Sequence, residues 1–99
     1  MKTLRLIILV AHYFLTNSLG QSTTIQYYFK QDGKVTIRIF TMQGRLIKTL
    51  LDDFRTANVY TDVNWDGKNE DGETVASGIY LVHIEAPKFS YSQKIAVVR

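Results

Sequence analysis

Residues 34–51 read KVTIRIFTMQGRLIKTLL, and whether they make two strands or a strand and a helix decides the fold class. In Lys34–Thr41, Val35, Ile37 and Ile39 alternate with Thr36, Arg38 and Phe40. A period of two sets these on opposite faces, the pattern of a half-buried strand. Gln43-Gly44 then turns the chain, because glycine takes the positive φ that tight turns need. The returning segment Arg45–Leu51 is ambiguous, since Leu46, Leu50 and Leu51 also stand at helical spacing. Its shortness and its glycine boundary favour a strand.

The same alternation extends outward. Ser22–Lys30 (STTIQYYFK) places Thr23, Ile25, Tyr27 and Phe29 on one face, and Gln31-Asp32-Gly33 follows as a hairpin signal. Asp52–Ala57 reads as a polar loop, with Asp52-Asp53 a solvated bend. Asn58–Trp65 alternates Val59, Thr61, Val63 and Trp65. Gly78–Ala86 (GIYLVHIEA) is apolar on both faces, as a central strand should be. Pro87-Lys88 breaks it, and Phe89–Val98 supplies a last strand. Six or seven short strands with regular turn signals and no long helix predict an all-β, immunoglobulin-like antiparallel β-sandwich. One domain over 21–99 is expected, without solenoid repeats or low-complexity tracts.

The first twenty residues read differently. Lys2 and Arg5 precede the apolar run Leu6–Leu15, and a polar stretch ends in Ser18-Leu19-Gly20. That layout is a secretory signal peptide at 1–20, with cleavage between Gly20 and Gln21. The run is too short to span a bilayer, which takes about 20 residues. It also reads as an ordinary buried strand, and length alone does not separate the two.

Charge narrows the function classes. The chain carries 12 basic and 9 acidic residues, a net +3. Removing Lys2 and Arg5 leaves 10 against 9, or +1. Lys34, Arg38, Arg45, Lys48 and Arg55 are interspersed along strands rather than clustered, so a nucleic-acid surface is not expected. No cysteine is present, which excludes disulfides, zinc thiolates and thiol nucleophiles. A domain of this size without disulfides leans on aromatic packing. Burying Trp65 contributes on the order of 4–6 kcal/mol before entropic costs.

The chemistry-bearing stretch is Trp65–Tyr80, WDGKNEDGETVASGIY. A calcium loop would need ligands at its first and twelfth positions. With Gly72 at the sixth, those positions fall on Gly67 and Gly78, and neither carries a carboxylate. Asp66, Glu70, Asp71 and Glu73 could pair as acid and base, but nothing nearby supplies the apolar burial that would separate their pKa values. The turn reading is stronger: Asp-Gly steps and Asn or Asp side chains that bond nearby backbone. His83 has no second His or Cys near it and reads as a strand-surface residue. No catalytic, metal or cofactor-binding residue is expected, and no cofactor.

Taken in order, Val35-Thr-Ile-Arg-Ile-Phe, Gln43-Gly44-Arg45-Leu46-Ile47, Trp65-Asp66-Gly67, Asp71-Gly72, Val75-Ala76-Ser77-Gly78-Ile79-Tyr80, Glu85-Ala86 and the ending Gln93–Arg99 resemble the Ig-like domain named after the flagellar hook-capping protein FlgD. A closely similar form is the C-terminal sorting domain of proteins exported by type IX secretion. The resemblance covers about 22–99. It implies a non-catalytic, extracytoplasmic module, secreted or at the cell surface, that sorts and anchors. Its partner would be a protein of the secretion machinery or the cell surface. The only membrane contact would be through an uncleaved signal peptide. Carried over on matching positions, Gly78 and Tyr80 form the family's Gly-x-Tyr, and Lys94 and Arg99 its basic residues in and after the last strand. Trp65, Asp66, Gly67, Asp71 and Gly72 form the structural turn. The prolines that often open the family's domain are missing before Ser22-Thr23-Thr24-Ile25. The alternative is a stand-alone secreted interaction or adhesion domain for protein or glycan. The oligomeric state stays open, since edge strands can pair between chains.

Overall fold

The computed structural model describes residues 5–9, 23–28, 30–59 and 61–98. They form seven strands: β1 (Arg5–Leu9), β2 (Thr23–Tyr28), β3 (Gly33–Thr41), β4 (Leu46–Arg55), β5 (Thr61–Trp65), β6 (Gly78–Ala86) and β7 (Phe89–Val97). All pairings are antiparallel. One sheet has the order β1-β2-β5, the other β4-β3-β6-β7. This is the immunoglobulin-like sandwich expected from the alternation, with the fourth strand beside the third rather than beside the fifth.

The period-two pattern places the core. Val35, Ile37 and Ile39 of β3 are buried, as are Tyr80, Val82 and Ile84 of β6. Register sets Ile37 opposite Ile84 and Ile39 opposite Val82. Ile95 and Val97 extend the layer from β7, while Ile25, Tyr27 and Trp65 close it from the other sheet. Trp65 is 1% exposed and Tyr27 2%.

The ambiguous segment is a strand, and its helical spacing has a cause. The register of β4 on β3 shifts twice, between Ile37 and Arg38 and again between Ile39 and Phe40. Leu51 faces Ile37 and Thr49 faces Arg38, so Leu50 is an extra residue; Ile47 is skipped likewise between Lys48 and Leu46. Each β-bulge inserts one residue and resets which face follows. Ile47, Leu50 and Leu51 all pack against the core as a result.

Two boundaries and one face differ from the sequence reading. Asp52 and Asp53 are not a loop bend: β4 continues to Arg55, pairing them with Thr36 and Val35. Edge strands tolerate charge because one side meets water. Here Lys34 Nζ lies 3.1 Å from Asp52 and Arg55 3.1 Å from Asp53. The next strand begins at Thr61 rather than Asn58, whose φ of 62° belongs to a turn. Strand β6 is central, but its outer face is only half covered, with Ile79 48% exposed.

Within the N-terminal segment, Arg5–Leu9 pairs with β2, from Arg5 opposite Tyr28 to Leu9 opposite Thr24. The Gly20–Gln21 junction and Arg99 lie outside the described residues.

Candidate functional site

The connection from β5 to β6, residues 66–77, begins under Trp65. The buried indole donates its N–H to the Lys68 carbonyl (2.9 Å), which fixes the first bend. The Asp66 carboxylate accepts the Lys68 N–H (3.1 Å), the short side chain standing in for a backbone turn acceptor. Gly67 is buried at φ 78°, and its carbonyl accepts the Val75 N–H (2.9 Å). A bridge between Lys68 and Thr74 draws the two arms of the loop together.

Asn69 organises the tip. Its side-chain oxygen accepts the N–H groups of Asp71 and Glu73, both at 2.9 Å. Its amide nitrogen donates to the Glu73 carboxylate (3.0 Å). The Gly72 N–H returns to the Asn69 carbonyl (3.0 Å), with Gly72 at φ 80°. This is a type I turn followed by a left-handed glycine, a usual three-residue reversal.

Glu70 faces away from that network. Its N–H donates to the Ile47 carbonyl (3.1 Å), and its carboxylate accepts the Thr49 N–H (2.8 Å). One loop residue therefore occupies two backbone groups of β4. The Asp66 carboxylate is taken up by the loop's own backbone, that of Glu73 by the Asn69 side chain and that of Glu70 by a neighbouring strand, and among the described residues no group of three or more His, Asp or Glu is placed to hold a metal ion.

Tyr80, third residue of β6, closes the far end. Its hydroxyl donates to the Ala76 carbonyl (2.7 Å), and its ring meets Trp65 edge-on at 5.8 Å. A tyrosine at this corner, bonded to backbone a few residues upstream, is a recurrent lock of immunoglobulin-like sandwiches. Gly78 is exposed two residues before it. Lys94 stands exposed on the outer face of β7 opposite Leu81. Gly78 and Tyr80 thus adjoin the loop, whereas Lys94 lies one strand over. Around them the outer face of the sheet exposes Met42, Leu46, Ile79 and Val98.

His83, half-buried on that face, shares a 2.6 Å hydrogen bond with the Ser92 hydroxyl and meets Phe40 edge-on at 6.4 Å. At the distant end of β4, the Asp53 carboxyl is held below the usual carboxylate range, first by the Phe54 N–H and then by Arg55. Asn69 and Glu70 went unread as organisers. A signal for Asn69 was present in its position three residues before a glycine; none announced Glu70, whose partners are more than twenty residues away.

Residues 15–88 match the family model described as the FlgD Ig-like domain. No curated protein gives a match. Two solved structures are similar. Dimeric latent PorU from Porphyromonas gingivalis matches 99% of this chain and 9% of its own, at TM-score 0.63 and 18% identity. PorZ, an essential bacterial surface component of the type IX secretion system of the same organism, matches 76% of this chain and 9% of its own, at TM-score 0.52 and 32% identity. The likeness to PorU is one of fold. The chain spans under a tenth of either protein.

Proposed function

The chain belongs to the FlgD Ig-like domain family, and on that premise we propose that it is a non-catalytic extracytoplasmic module that sorts and anchors in type IX secretion. The observation that carries this reading is the 32% identity with PorZ over 76% of the chain, since that protein is a surface component of that system. The recognition surface is built on β6 and β7. Gly78, Tyr80, Lys94 and Arg99 are its candidates, and Lys94 is the described one whose charge stands free in solvent. Tyr80 supports the surface from beneath rather than touching a partner. Residues 1–20 direct the first export step and are removed after Gly20. Removal takes β1 with it and leaves β2 and β5 as that sheet.

Deleting 94–99 would be a poor test, because Ile95 and Val97 belong to the core. Lys94→Ala and Lys94→Glu leave the core intact. Produced in Porphyromonas gingivalis, the wild-type chain should reach the surface or medium, beginning at Gln21. Both variants should accumulate in the periplasm with unchanged melting temperature. Normal export of both, or a mature chain that still begins at Met1, would count against this reading.

A further inference from the structure

We propose that the outer edge of β7 pairs antiparallel with β7 of a second copy of this chain, about a two-fold axis at Gln93. The proposal rests on the strand itself and does not depend on the sorting role.

The two outer strands of the four-stranded sheet are finished differently. Strand β4 carries two bulges, the charges of Lys48, Asp52, Asp53 and Arg55, and the Glu70 clamp on Ile47 and Thr49. Bulges, charges and covering loops are the devices by which edges avoid joining another sheet. Strand β7 has no bulge and, among the described residues, no covering loop. Its register on β6 is unbroken from Ala86–Phe89 to Gly78–Val97, it contains no proline, and Lys94 is its one charge. Among the described residues no strand lies against its outer side.

The hairpin fixes which groups are open. A two-residue turn at Pro87-Lys88 makes Ala86 and Phe89 a hydrogen-bonded pair. Alternation then points the backbone of Tyr91, Gln93 and Ile95 at β6, and that of Ser90, Ser92, Lys94 and Ala96 outward.

The sequence of β7, FSYSQKIAV, is close to self-complementary about its centre. With Gln93 on the axis, Lys94 faces Ser92 of the second copy and Ala96 faces Ser90. On the inner face Ile95 meets Tyr91 and Val97 meets Phe89. Tyr91 is 39% exposed at the open margin, and its ring stacks at 6.3 Å on Phe89, which packs against the core. Neighbouring registers are worse. An axis at Lys94 opposes two like charges, and one at Ser92 sets Val97 against Pro87. A one-residue slip would put core side chains against solvent-facing ones.

Sedimentation velocity on the 99-residue chain, from about 1 to 300 µM, tests this. A small, strand-edge interface should give a dissociation constant on the order of 10–100 µM. Ser92→Lys sets a lysine opposite each Lys94, while Ser92→Glu sets a carboxylate there. The first should weaken the dimer and the second strengthen it, each by about three- to thirtyfold. Both lose the bond to His83 equally, so that loss cannot produce opposite signs. A chain that stays monomeric throughout overturns the proposal, even if the edge binds a foreign strand. So does a dimer that both substitutions change in the same direction.

Discussion

Thr41–Arg45 and Asn69–Glu73 close in the same way. In each, a glycine at the fourth position returns its N–H to the first carbonyl, at 2.9 Å for Gly44 and 3.0 Å for Gly72. The first N–H reaches the fifth carbonyl, at 2.8 and 2.9 Å. The first side-chain oxygen takes the fifth N–H, from Thr41 to Arg45 at 3.0 Å and from Asn69 to Glu73 at 2.9 Å. The second residues differ. Met42 is exposed, whereas Glu70 fastens the loop onto β4. The second turn also sits above Trp65, which anchors its entry, whereas the first joins two strands of one ladder. Local chemistry sets the backbone of both; tertiary neighbours make one a simple reversal and the other a clamp.

The largest way to break this comparison is Trp65→Ala, which removes part of the core and with it the floor of the second turn but not of the first. A loss of about 3–5 kcal/mol in urea unfolding is expected. A loss under about 1 kcal/mol would show that the loop supports itself. Next come the two first-position residues. Asn69→Ala gives up several bonds at once and should cost about 1–3 kcal/mol, against about 0.5–1.5 for Thr41→Ala. Equal losses would mean that the extra bonds of Asn69 add nothing.

The glycines sharpen the likeness instead. A methyl group at Gly44 or Gly72 meets no atom within 4 Å, so each substitution to alanine feels only the positive φ. Both should cost about 1–2 kcal/mol, with similar values. A marked difference would reveal strain in one turn that the matched bonds do not show.

The smallest effect lies away from both turns. The lowered folded-state pKa of Asp53 stabilises the native chain above the unfolded carboxylate pKa, and that contribution is lost as pH falls through the folded value. An NMR titration should place its midpoint below that of an ordinary aspartate. Arg55→Ala should move it part of the way back, since the larger cause, the Phe54 N–H, remains.

Alternation made β2, β3, β6 and β7 readable because burial on a sheet has the same period as the side chains. It failed on β4, where bulges imitate a helical spacing and where Asp52 and Asp53 look like loop composition. In the loop, the Asp-Gly steps announced bends, since glycine's freedom is local. The work of Glu70 was illegible because its partners, Ile47 and Thr49, come near only once the sheets have packed. Tyr80 was visible as part of a family pattern, but its hydrogen bond to Ala76 depends on the path of the loop between them. The basic candidates divide likewise: Lys94 is placed, and Arg99 lies outside the described residues.

The Glu70 clamp also has a meaning in time. Pairings here join distant positions, and such topologies fold in milliseconds to seconds rather than microseconds. Until residues 66–77 settle, the newly made chain shows an uncovered indole and an uncapped β4 at once. The same loop receives the indole N–H and supplies Glu70 to Ile47 and Thr49, so its closure joins the two protections on that side of the molecule.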